Sequence, residues 1–202
     1  MQKLNQQPDI CPYFSPEFKV IPQYIIMKEG ECMELNNRTT SFFIFILSGE
    51  ITISFEQYTN RSVLENEMFF LPKNNCFKWK AVTQTVLILT GYNATIFPCT
   101  SVRARILYKI KAGVKFDCRG VVMKDEVKVV VNQMKHYLES GINCHHMYIL
   151  KHKELYLMFK HFYTYEEIIQ IFYLILGSNP LFNERVLDNY LKVKTVKELA
   201  GL

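Results

Sequence analysis

Three features of this 202-residue sequence predict an α+β fold, an antiparallel β-barrel followed by an all-helical region. Short β-branched and aromatic runs recur through the first half with turn residues every ~8–12 positions, as in small barrels and sandwiches. Near residue 121 the apolar period lengthens from two to between three and four, the mark of helices. Apolar residues make up 49% of the chain, enough to build a core at this length.

Each element follows from local chemistry. Pro8, Pro12 and Pro16 exclude a helix from residues 1–20. Gln23–Met27 and Cys32–Leu35 read as strands, and Asn36-Asn37 as a turn. Ser41–Phe55, SFFIFILSGEITISF, carries the clearest β signal, with Ser48-Gly49 as a tight hairpin turn. Before the turn, Phe42–Leu47 is apolar on both faces and so should be central and covered. After it, Ile51, Ile53 and Phe55 face one way and Thr52, Ser54 and Glu56 the other. Met68–Leu71 is a strand ended by Pro72, with a turn at Asn74-Asn75. Phe77, Trp79 and Ala81 alternate with Lys78 and Lys80, and Thr85–Thr90 closes the series.

The helical half is expected to begin at Val121 or Val122. Met123, Val127, Val130, Met134 and Tyr137 fall at 4-3-4-3 spacing, a coiled-coil-like seam ended by Gly141, which suits either a dimer or a helix packed on the barrel of its own chain. A second helix spans about 143–163. Thr164 caps a third, with Glu167 completing the capping box, and Gly177 closes it. Pro180 opens a fourth, to about Leu191, and 192–194 form a link. Thr195 then caps a helix starting at Val196, with Glu198 three residues on.

The order strand, L-S-G-E, strand, M-F-F-L-P, strand over Tyr24–Tyr92 is similar to the cupin-type sensor domain of AraC-family transcription regulators. The run Y-E-E-I-I-Q-I-F-Y-L-I-L, then N-Y-L-K-V-K-T-V-K-E-L-A, resembles the segment that precedes the DNA-binding domain in a Bacteroides-type branch of that family. The resemblance implies a sensor domain over 1–121, a helical dimerisation and linker region over 122–194, and the start of a helix-turn-helix domain at 195–202. It implies a homodimer through Met123, Val127, Val130, Met134 and Tyr137, a small-molecule effector, and DNA contact only through a domain beyond Leu202. The rival reading is a free-standing, metal-independent cupin that binds or converts a small molecule.

Charge fits the first reading. Residues 1–121 hold 14 Lys/Arg against 10 Asp/Glu, and residues 122–202 hold 10 against 9. The helical half therefore lacks the concentrated basic face of a DNA-binding domain. All five histidines (His136, His145, His146, His152, His161) lie in that half, which leaves the barrel without imidazole for an iron or zinc site. They are expected to be solvated, and neither a metal nor another cofactor is expected. No G-x-S-x-G, Walker A or G-x-G-x-x-G occurs, so no catalytic residue is assigned. Phe77, Trp79 and Tyr92 are the candidate walls of a ligand pocket inside the barrel, though the same residues suit a filled core.

Six scattered cysteines (Cys11, Cys32, Cys76, Cys99, Cys118, Cys144) form no C-x-x-C and are expected to be reduced and mostly buried. MQKLNQQPDI lacks the apolar core of a secretory signal. Ile168–Leu176 falls short of the ~20 residues of a membrane span. A cytoplasmic protein is expected.

Overall fold

The computed structural model describes residues 22–37, 40–73, 75–92, 117–142, 144–176 and 197. Eight strands occupy the first half: β1 (Gln23–Met27), β2 (Cys32–Asn37), β3 (Ser41–Ser48), β4 (Glu50–Phe55), β5 (Tyr58–Leu64), β6 (Glu67–Leu71), β7 (Asn75–Ala81) and β8 (Thr85–Tyr92). A two-residue strand, β9 (Val121–Val122), precedes helices α1 (Asp125–Glu139), α2 (His145–Phe162) and α3 (Tyr165–Leu176). The strands form two antiparallel sheets, ordered β1-β8-β3-β6-β9 and β2-β7-β4-β5. The fold is α+β: a double antiparallel sheet followed by three helices among the described residues.

The five-stranded sheet is covered on both faces, as the two-sided apolar run of β3 predicts. Ile44, Ile46, Leu87 and Leu89 point into the sandwich and meet Ile51, Ile53, Phe55, Phe77 and Trp79 of the other sheet. Phe43, Phe45, Phe70 and Ile88 point the opposite way and pack under the three helices. Period-two alternation sends neighbouring residues of one strand into two different cores. The architecture is thus three layers, with the five-stranded sheet in the middle.

Three sequence expectations are corrected. Ser48-Gly49 does not make a hairpin: β3 pairs with β6 and β8, whereas β4 pairs with β5 and β7. The chain changes sheet there. Gly49 has φ +84°, and a Cβ on it would collide with the Gln84 carbonyl and Thr85, so only glycine fits this corner. Asn36-Asn37 continues β2, held by pairing to Cys76 and Asn75. Val121 and Val122 belong to the sheet, paired with Met68 and Glu67, so the helical half begins at Asp125. Met123 therefore precedes α1 rather than lying in it.

The 4-3-4-3 seam packs on the chain's own sheet, one of the two arrangements its spacing allows. Met123, Val127, Val130 and Met134 are buried within the chain itself, in the core shared with the five-stranded sheet. Tyr137 packs at the edge of that core, with the Lys151 ammonium 5.8 Å from its ring centroid. The seam's apolarity is accounted for by intramolecular packing and needs no second copy.

The capping box at Thr164 is present: its N–H donates to Glu167 Oε2 at 2.7 Å, and the Glu167 N–H to Thr164 Oγ1 at 3.3 Å. Gly141 has φ +71°, as an αL terminator of α1 requires. The helix predicted from Pro180 to Leu191 and the Thr195 cap lie outside the described residues; Lys197 is helical and exposed.

Candidate functional site

The three aromatic residues chosen as pocket walls do not line one space. Phe77 and Trp79 are 0% and 2% exposed in the interior between the sheets, where Phe77 lies 4.7 Å from Phe55, centroid to centroid. Tyr92 is on the opposite face of its sheet, edge-on to Phe43 and Phe70 beneath the helices. The reason is register: Leu87 and Leu89 point inward, so Ile88, Thr90 and Tyr92 point at the helices. Burial, with a smaller push from Tyr156 of α2, drives the Tyr92 phenol pKa well up.

That outer face holds a feature that sequence reasoning missed. His145 and His152, expected to be solvated, are 8% and 6% exposed. His152 Nε2 and Thr90 Oγ1 share a 2.8 Å hydrogen bond, joining α2 directly to β8. Two residues along the strand, Tyr92 stands near Tyr156, one helical turn along α2. The seven-residue spacing of His145 and His152 was the available signal; polarity hid its meaning.

Burial, then the neighbouring His145, holds the His152 pKa down at about 4. The folded imidazole is therefore neutral, while the unfolded one takes a proton below its ordinary 6.5. The contribution is fully present above pH 6.5 and is lost as pH falls from there towards 4. Between pH 7 and pH 4.5 the unfolding free energy is expected to drop by roughly 2–3 kcal/mol through this group. Urea midpoints across that range would show it as a steeper acid loss in the wild type than in His152→Gln. Parallel profiles would contradict it.

A second fastening joins β9 to the α2–α3 turn. The Lys124 N–H donates to the Tyr163 hydroxyl at 2.8 Å, and that hydroxyl donates to the Val122 carbonyl at 3.0 Å. The Lys124 ammonium reaches the Phe162 carbonyl at 2.6 Å and Glu167 Oε2 at 3.1 Å. Burial raises the Tyr163 pKa to about 12. Burial also works against the Glu167 carboxylate, but bonds from Thr164 and Lys124 more than offset it and leave its pKa below the usual range.

The four-stranded sheet is different. Its outer face is polar, and over it lies an open hollow of about 430 Å³ lined by Cys32, Glu34, Thr52, Ser54, Lys78 and Lys80, among others. The alternation of Lys78 and Lys80 with Phe77 and Trp79 marked these lysines as outward-facing; the cross-strand company they keep was not visible. The Cys76 thiol, exposed on the same face, donates to Glu34 Oε1 at 3.1 Å. That bond, together with desolvation and the carboxylate's charge, raises the thiol pKa, the opposite of what an activated nucleophile needs. The expectation of mostly buried thiols is corrected: Cys32 and Cys76 are exposed, Cys118 is buried and Cys144 intermediate, all four free. Cys11 and Cys99 lie outside the described residues. Among the described residues no three His, Cys, Asp or Glu side chains are grouped to hold a metal ion, and no helix is long and apolar enough to cross a membrane.

No family model matches the sequence, and no curated protein matches it. Among solved structures the chain is similar to the cupin domain of Cnp3 from Schizosaccharomyces pombe, at 19% identity over 41% of this chain and 62% of that one, with a TM-score of 0.36. It is similar to a cupin superfamily protein from Desulfitobacterium hafniense, at 17% identity over 37% and 68%, TM-score 0.33. It is also similar to the Drosophila melanogaster CENP-C cupin domain, at 10% identity over 36% and 56%, TM-score 0.33. The chain spans 62% of the length of the Cnp3 domain. Likeness at this level brings no activity, ligand or partner with it.

Proposed function

We propose that this chain is the sensing and dimerising part of an AraC-type transcription regulator, and is not an enzyme. In this reading the sandwich receives a signal and the helical layer passes it to a helix-turn-helix domain that residues 195–202 open. One observation carries it: the five-stranded sheet is a shared wall. Ile44 packs into the sandwich while its neighbour Phe43 packs under the helices, so a displacement of β3 is felt on both sides. The Thr90–His152 bond and the Tyr163 fastening fix the helices to that wall. Allosteric coupling needs such a two-sided element. The homodimer belongs to the same proposal; it would use faces other than Met123, Val127, Val130 and Met134, which are already buried.

The test is a substitution that touches the coupling and no DNA. In a chain carried past Leu202 through its helix-turn-helix domain, Tyr163→Phe removes the fastening hydroxyl and keeps the ring. Affinity for the specific duplex is expected to change at least about five-fold, with far-ultraviolet circular dichroism unchanged. An unaltered affinity in a folded variant contradicts the coupling.

A further inference from the structure

The hollow on the open sheet face has the chemistry of a binding site, and its construction can be read from the register. Across the sheet, Glu34 of β2 stands opposite Lys78 of β7, which stands opposite Ser54 of β4. In the next outward row Cys32 is opposite Lys80, Lys80 opposite Thr52, and Thr52 opposite Ser62 of β5. Short hydroxyl side chains thus make a floor over β4, and two long cationic side chains make the wall beside it. Ser54 Oγ accepts the Asn60 N–H at 2.9 Å and donates to Asn60 Oδ1 at 3.4 Å, a long bond that a ligand oxygen can replace, and this draws β5 up as the opposite side.

The two ammonium groups on this face are not used internally, while Glu34 Oε1 accepts from the Cys76 thiol at 3.1 Å and keeps its other oxygen for a ligand. Neither the Lys78 nor the Lys80 ammonium has a hydrogen-bond or ion-pair partner among the described residues, whereas Lys124, Lys128, Lys135 and Lys151 all do. Two residues apart on one strand, the two lysines start roughly 7 Å from each other. Glu34 lies two strands from β4, roughly 10 Å away, with Lys78 between. The hollow therefore has a dicationic end with hydroxyl donors and, at the far end, a carboxylate able to accept from hydroxyl groups. Its volume of about 430 Å³ is within the range of small-molecule sites.

We propose that this hollow binds a small phosphorylated polyol, with the phosphoryl dianion between Lys78, Lys80, Thr52 and Ser54 and the hydroxyl end at Glu34. A phosphate monoester supplies the two negative charges that the lysines lack, and lysine engages phosphate as a point charge. The proposal is independent of the regulator reading, since it concerns only which ligand the face binds.

Glycerol 3-phosphate is the probe, with glycerol and inorganic phosphate as comparisons, followed by amide chemical shifts and calorimetry on the whole chain. Glycerol 3-phosphate is expected to perturb residues 52–54 and 78–80 saturably and to bind at least about ten times more tightly than either comparison. Lys78→Gln/Lys80→Gln is expected to weaken it at least about ten-fold. Glu34→Gln should weaken glycerol 3-phosphate and leave inorganic phosphate unchanged or improved. The control pair Lys153→Gln/Lys160→Gln, on the exposed side of α2, should bind like the wild type. These outward-facing substitutions leave both cores intact, and thermal unfolding checks it. The proposal is overturned by absence of saturation up to about 10 mM, by equal affinity for inorganic phosphate, by equal loss in the control pair, or by an oligonucleotide displacing the probe as well as the probe itself does.

Discussion

Phe43→Ala is expected to lower the unfolding free energy by about 3–5 kcal/mol. Phe43 is the aromatic hub between sheet and helices. Its ring lies 5.0 Å from Phe70 and 5.5 Å from Tyr92, both edge-on, 5.9 Å from Phe159 of α2 and 6.2 Å from Phe172 of α3. Removing it withdraws a face from five other rings at once, the stacked Phe45 at 5.8 Å included, and leaves a cavity whose walls are strand backbone and three-layer packing, neither of which collapses readily. Ile44→Val, one position along, removes a single methyl from the other core and should cost only about 0.5–1.5 kcal/mol. Urea denaturation measures both. Hydrogen exchange adds a sharper readout: α2 and α3 amides should lose protection in Phe43→Ala before those of β4 and β7 do. Uniform loss across both sheets and the helices would mean that the helical layer has no separate dependence on this ring.

Strands were readable wherever one face of the chain meets water. β7 alternates apolar and charged residues, and its burial follows suit, with Phe77, Trp79 and Ala81 inside. β1 and β8 appeared at or within two residues of their bounds. What could not be read was which strands share a sheet. The Leu-Ser-Gly-Glu turn has the residues of a hairpin, and the choice between a hairpin and a sheet crossing is made by Gln84 and Thr85, some 35 residues away, pressing on Gly49. The two-residue strand β9 is likewise defined by its partner β6 rather than by any signal in Val121-Val122.

The site was less readable than the fold, for a related reason. An apolar seam in a sequence says that something covers it and not what: here the five-stranded sheet lies over Val127, Val130 and Met134. Histidine tells the opposite story, since polarity suggested solvent and one threonine 62 residues away makes burial tolerable for His152. Trp79 and Phe77 met the composition of pocket walls, but the same residue types fill cores, and Tyr92 was placed with them only because chain order hides which face a strand residue takes.

On the proposed reading, this chain is the regulatory portion of a DNA-binding protein. Residues 122–202 carry 10 Lys/Arg against 9 Asp/Glu, so they lack the phosphate-neutralising surface that supplies most duplex affinity. Fluorescence anisotropy on the chain's own regulatory region, at ~150 mM salt and against a random duplex, is the direct measurement. Residues 1–202 should bind both duplexes equally and no better than ~10⁻⁶ M. A chain continued past Leu202 through its helix-turn-helix domain should prefer the specific duplex by ~10³ or more, with a dissociation constant near ~10⁻⁸ M. Sequence-selective nanomolar binding by residues 1–202 alone, or no selective binding by the continued chain on any fragment of that region, would contradict the account.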